Sequence, residues 1–164
     1  MLPIQTVLHP TDFSDCSNYA FRLACSLARD YGARLVVLHV AEPPRAVSGD
    51  GLMTFPTATD LEPLRQQLQQ LRSEDEKLAI EHRLAEGNVP VEILGIAKEI
   101  KCDLIVIGTH GRTGIGRLLM GSVAEQVVRK ARCPVLTVKT PQHLAASSEE
   151  GGARAALKGA GTRE

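Results

Sequence analysis

Leu104-Ile105-Val106-Ile107-Gly108-Thr109-His110-Gly111, nine residues, and then Gly121-Ser122-Val123-Ala124-Glu125 form the stretch that decides the fold. Four apolar residues in a row, led in by Asp103, read as a strand buried on both faces. The glycine-rich run that follows ends where Ser122 and Glu125 present a capping-box pattern, so a helix is predicted to start there and run to about residue 132. A strand passing through a glycine-rich loop into a helix is the unit of an open α/β sheet. Such sheets bind ligands at the carboxyl ends of their strands.

The same alternation extends in both directions. Residues 4–9 form a short apolar run broken by Pro10-Thr11-Asp12, and a helix follows, capped by Ser14 or Asp15. Its buried stripe is predicted as Ala20, Leu23, Ala24, Leu27, Ala28 and Tyr31, and Gly32 ends it. Residues 35–40, rich in Val, read as a second doubly buried strand. Residues 42–59 form a long Pro/Gly-containing loop of a length usually tied to function or disorder. Thr59 with Glu62 is a further capping-box pattern, opening a helix whose buried side carries Leu61, Leu64, Leu68 and Leu71. A weaker strand at 81–86 stops at Gly87-Asn88, Pro90 opens a third helix through about residue 100, and Pro134 leads into a last strand at 135–138. The order β-α-β-α-β-α-β-α-β implies a mostly parallel sheet with helices on both faces.

Composition agrees. The chain has 164 residues, 43% of them hydrophobic but only 3% aromatic, so one aliphatic core of domain size is expected. Nineteen basic residues against nineteen acidic ones leave no electrostatic case for nucleic acid or an anionic membrane. No signal peptide pattern and no apolar run of about 20 residues is visible, which points to a cytoplasmic protein. Cys16, Cys25, Cys102 and Cys133 form no C-x-x-C pair and read as reduced thiols, with no metal site. Residues 141–164, rich in Ala, Gly, Ser and Glu, read as a disordered tail on a domain spanning 1–140.

The loop chemistry points to a phosphate. Glycines let backbone amides approach an anion, and the first helical turn adds unpaired N–H groups and a positive dipole end. Ser122 is expected to accept from the Glu125 amide as a cap while donating to a phosphate oxygen, and Arg112 and Arg117 can add charge-assisted bonds. The P-loop pattern is absent. Gly114-x-Gly116 is followed by Leu119 where a dinucleotide fingerprint wants glycine, and Asp12 lacks the acidic neighbour of a receiver domain. No nucleophile–base pair is visible, so no catalytic residue is assigned. His9 and His39 read as packing residues and His110 as a loop residue.

Gly108-x-x-Gly111-x9-Gly121-Ser122 resembles the ATP-binding signature of the universal stress protein family. Supporting matches are Pro10-Thr11-Asp12-Phe13-Ser14, Gly87-Asn88-Val89-Pro90 and Cys133-Pro134-Val135-Leu136-Thr137-Val138, and together they cover about residues 2–140. The resemblance implies a Rossmann-like, adenine nucleotide alpha hydrolase-like sheet of five strands in order 3-2-1-4-5. It implies adenine near Asp12 and the backbone of Val40, with Pro10 and Thr11 flanking base and ribose. Ile107, Gly108 and Gly111 would line the ribose and α-phosphate, while Gly121, Ser122, Val123 and Ala124 hold the phosphates. ATP, or ADP or AMP, is the implied ligand, with Mg2+ bridging phosphate oxygens. The family also implies a homodimer through strand 135–138, whose apolar edge would otherwise be exposed. The function implied is a nucleotide-binding stress-response module. A slow ATPase or phosphotransferase, and a nucleotide-free interaction module of the same fold, are the alternatives.

Overall fold

A computed structural model describes residues 3–43, 61–110 and 120–139. Five strands alternate with four helices: β1 (Thr6–Pro10), α1 (Asp15–Tyr31), β2 (Arg34–Ala41), α2 (Glu62–Gln69), β3 (Ile80–Glu86), α3 (Val89–Glu99), β4 (Leu104–Gly108), α4 (Ser122–Lys130) and β5 (Val135–Val138). The strands form one sheet in the order β3-β2-β1-β4-β5, and every neighbouring pair is parallel. Alternate residues of the central strands point to opposite faces, which splits the core in two. Leu8, Val36, Leu38, Ile105 and Ile107 meet α3 and α4, whereas Val7, Leu35, Val37 and Val106 meet α1 and α2. This double burial is why β2 and β4 carry unbroken aliphatic runs.

Local chemistry sets the helix ends. The Ser14 hydroxyl accepts from the Ser17 amide to start α1, and Gly32 ends it at φ 64°, a left-handed conformation that glycine adopts without a Cβ clash. Asn88 caps α3 by accepting from the Val91 amide. Four expectations need correction. Tyr31 is 47% exposed, and Phe21 is buried in the stripe of α1 instead. Burial of α1 ends at Ala28, one turn before Tyr31. α2 starts after Leu61 without a side-chain cap, and Thr59 lies outside the described residues. α4 ends at Lys130 rather than near residue 132, because Ala131 is already extended and Pro134 holds its predecessor out of the helical region. The fourth, at Ser122, belongs to the crevice below. The tail at 141–164 lies outside the described residues.

Candidate functional site

The β1–β4 ladder is short: Val7 pairs with Leu104 and Leu8 with Ile105, while β1 stays paired with β2 as far as Pro10–Leu38. Beyond Leu8 the His9 side chain takes over, its Nδ1 2.9 Å from the Val106 carbonyl. A carbonyl only accepts, so Nδ1 carries the proton and Nε2 is left as a buried lone pair without a partner among the described residues. Protonating it would bury an uncompensated charge, which pulls the His9 pKa down to about 4 despite the Val106 carbonyl and the Asp12 charge.

Where β1 and β4 part, a crevice of about 520 Å3 opens at the carboxyl end of the sheet. It collects Pro10, Thr11 and Asp12 after β1, the stretch from Leu38 to Glu42 at the end of β2, Ile107 to His110 after β4, and Gly121 to Ala124 at the head of α4. Ten of the twelve residues expected from sequence are thereby brought to one cavity: Pro10, Thr11, Asp12, Val40, Ile107, Gly108, Gly121, Ser122, Val123 and Ala124. Gly111 and Arg112, together with Arg117, lie outside the described residues.

The wall after β1 is tightly organised. The Thr11 amide donates to the Leu38 carbonyl at 2.8 Å, its hydroxyl accepts from the Phe13 amide and from the Ser17 hydroxyl, and its carbonyl faces His39 Nδ1 at 2.8 Å. With 6% of its surface exposed, Thr11 shapes the wall more than it offers a free group. Asp12 Oδ1 accepts from both the amide and the hydroxyl of Ser14, tying the carboxylate to the start of α1. Phe13 sits at φ 64° and packs on His39 with ring centroids 4.4 Å apart.

The wall at α4 is arranged differently from the sequence expectation. Gly121, extended at φ −60° and ψ 148°, is the N-cap, and its carbonyl accepts the Glu125 amide at 2.9 Å. Ser122 is therefore the first helical residue, its side chain makes no cap bond, and the expected Ser122–Glu125 capping box does not form. The amides of Ser122, Val123 and Ala124 find no acceptor among the described residues, as the first turn of a helix dictates. The Gly121 amide is spent, donating to the Thr109 carbonyl at 2.7 Å. Ala124 and Val40 are buried in the core, so their backbone is what they can offer a ligand.

The glycines divide in role. A Cβ on Gly108 would meet Cys16 Sγ at 3.1 Å, so this position is closed by helix α1, whereas a Cβ on Gly121 would stand 3.2 Å from the Thr109 carbonyl oxygen. Residues 3–139 match the model of the Universal stress protein family. The chain belongs to that family.

A universal stress protein of Methanocaldococcus jannaschii is 34% identical over 142 residues, covering 83% of this chain and 82% of that protein. One from Thermus aquaticus is 34% identical over 139 residues, covering 82% and 98%. Among solved structures, a universal stress protein in complex with cAMP is 29% identical with a TM-score of 0.65, covering 85% of this chain and all of that one. The universal stress protein from Archaeoglobus fulgidus in complex with dAMP is 27% identical with a TM-score of 0.60 over the same shares. The Rossmann-like α/β fold and strand order expected of a universal stress protein are thus present.

Sequence reasoning missed several crevice residues. Ser17, His39, Ala41, Glu42, Leu64, Val89 and Ile93 also line it. His39 could have been found, since alternate residues of β2 next to Val40 reach the strand's carboxyl end. Periodicity puts Leu64 on the buried side of α2 and Val89 stands in the Gly87–Pro90 match, but only the packing of α2 and α3 brings them to the crevice. Among the described lining residues there is no Lys or Arg, and the acids Asp12 and Glu42 both stand on the β1–β2 side. Among the described residues no group of three metal-ligating side chains occurs, and no helix is long and apolar enough to cross a membrane.

Proposed function

We propose that this universal stress protein binds an adenine nucleotide in the crevice between β1 and β4 and acts as a nucleotide-responsive regulatory module in a stress response. The observation that carries the reading is the head of α4: three successive amides, those of Ser122, Val123 and Ala124, lack acceptors among the described residues beside a serine hydroxyl not used as a cap. Such an array is complementary to a phosphate. The acids Asp12 and Glu42 stand on the other side, so the anionic end of the ligand lies toward α4 and the base toward β2. Asp12 can then meet the N–H or O–H donors of the nucleoside. The adenylates named for the two solved relatives, cAMP and dAMP, favour adenine as the base.

ATP is the ligand first tested. Mg2+ joins through the phosphates, so its removal weakens ATP binding and leaves AMP binding almost unchanged. Gly111 and Arg112 extend the phosphate site in this reading. Calorimetric titration of ATP with Mg2+ tests it: saturable binding that falls at least tenfold in Gly121→Val supports the site, and equal affinity in both proteins rejects it. Phosphate release followed in the same samples reports any slow hydrolysis. The reading includes a cytoplasmic homodimer through β5, whose Leu136 is 36% exposed on an edge strand. Sedimentation showing a monomer alone at micromolar concentration removes that part.

A further inference from the structure

A second cavity, of about 450 Å3, lies at the opposite end of the sheet, where α3 and α4 finish and β4 and β5 begin. Lys98, Lys101, Lys130 and Arg132 line it, with Cys102 and Cys133. None of the four cations forms an ion pair among the described residues. The neighbouring acids are committed elsewhere. Asp103 Oδ2 accepts the amides of Gln5 and Thr6, both at 2.9 Å, and Glu99 is bonded to Arg83 at 2.7 Å. In a chain of zero net charge, four exposed cations on one cavity, none ion-paired among the described residues, concentrate positive charge at its mouth.

Helix ends explain only part of this. Lys98 and Lys130, in the last turns, answer the negative ends of α3 and α4. Lys101 and Arg132 lie beyond those turns. The Lys98 and Ala97 carbonyls of α3 are already occupied, accepting the Lys101 and Cys102 amides. Lys101 moreover holds φ 51° at a position where glycine is the unstrained choice.

We propose that this cavity binds a small polyvalent oxyanion, a polyphosphate or polycarboxylate, at a site separate from the nucleotide crevice. A monovalent ion would leave most of the four charges opposing one another, while a ligand with several anionic groups compensates them together. The thiols form the inner wall. Burial pushes the Cys102 thiol up to about 12 and raises that of Cys133, so both stay protonated and do not compete for the cations.

The test uses the full chain with pyrophosphate and, separately, citrate at low ionic strength, followed by calorimetry and by amide chemical shifts. Saturable binding of either probe, with shifts at Gly95, Lys101 and Ala131, is expected. It should weaken at least tenfold in the double variant Lys101→Gly/Arg132→Gln and persist in Gly121→Val, which separates this site from the crevice. Lys101→Gly relieves the left-handed backbone, so the double variant is expected to fold, and its melting temperature should rise less with pyrophosphate than that of the parent. Shifts confined to the head of α4, no binding of either probe, or equal affinity in the double variant each overturn the proposal.

Discussion

The Gly121 amide donates to the Thr109 carbonyl at 2.7 Å, closing the loop between β4 and α4 at its base. The bond fixes where α4 begins and hence where its bare amides point. A Cβ on Gly121 would press on the same carbonyl oxygen at 3.2 Å. Gly121→Ala should cost about 1 kcal/mol of stability, and Gly121→Val about 2 kcal/mol, by forcing the two segments apart. Because the head of α4 shifts with them, nucleotide affinity should drop further than stability does. Urea unfolding beside calorimetric titration separates the two losses.

Ser14 and Ser122 each stand at a helix start but do different work. Ser14 accepts from the Ser17 amide at 3.2 Å, so Ser14→Ala should destabilise by about 1 kcal/mol. Ser122 makes no cap bond, and Ser122→Ala should stay within about 0.5 kcal/mol of the parent. Its nucleotide affinity should instead fall roughly fivefold to tenfold, the loss of one hydrogen bond to phosphate. A large loss of stability in Ser122→Ala would contradict this assignment.

Gly108 is closed off by α1, whose Cys16 Sγ would lie 3.1 Å from an added Cβ. Gly108→Ala should destabilise by about 1–2 kcal/mol. Cys16→Ala removes the obstructing sulfur, so the double variant should recover much of that cost. A double-mutant cycle with a coupling energy near zero would show that the restriction lies elsewhere.

His9 makes stability depend on pH. Its ordinary value of 6.5 falls to about 4 in the folded chain, so below pH 6.5 the unfolded state takes up a proton that the folded state refuses. The stability present above pH 6.5 is lost as pH falls toward 4. At 1.36 kcal/mol per pH unit the full loss is about 3 kcal/mol, and the part between pH 7 and pH 5 is about 2 kcal/mol. Denaturant melts at the two pH values check this. His9→Leu should flatten the dependence, and a slope unchanged in that variant would assign it to other groups.

The aliphatic runs of β2 and β4, the glycine ending α1 and the asparagine before α3 were legible because each is a local demand of backbone or burial. Most crevice positions were legible for a related reason: Pro10 to Asp12, Ile107 to Gly108 and Gly121 to Ala124 all sit where a strand meets a helix. Their spacing along the chain already encodes the junction. The Ser122 capping box does not form because a cap is chosen by the φ and ψ of one residue, and Gly121 takes that place. Periodicity puts Tyr31 on the buried face of α1 but does not say where along the helix burial ends, and it ends at Ala28.

Alternation of strand and helix patterns therefore determined the parallel α/β architecture, and the glycine spacing determined which junction could receive an anion. Tertiary structure alone decided that β1 and β4 part after Leu8 and Ile105, that Leu64 and Val89 enter the crevice, and that Lys98, Lys101, Lys130 and Arg132 surround one cavity. The physical reason is range. Turn chemistry and burial periodicity act over a few residues, whereas a cavity gathers side chains that only the closing of the sheet brings together.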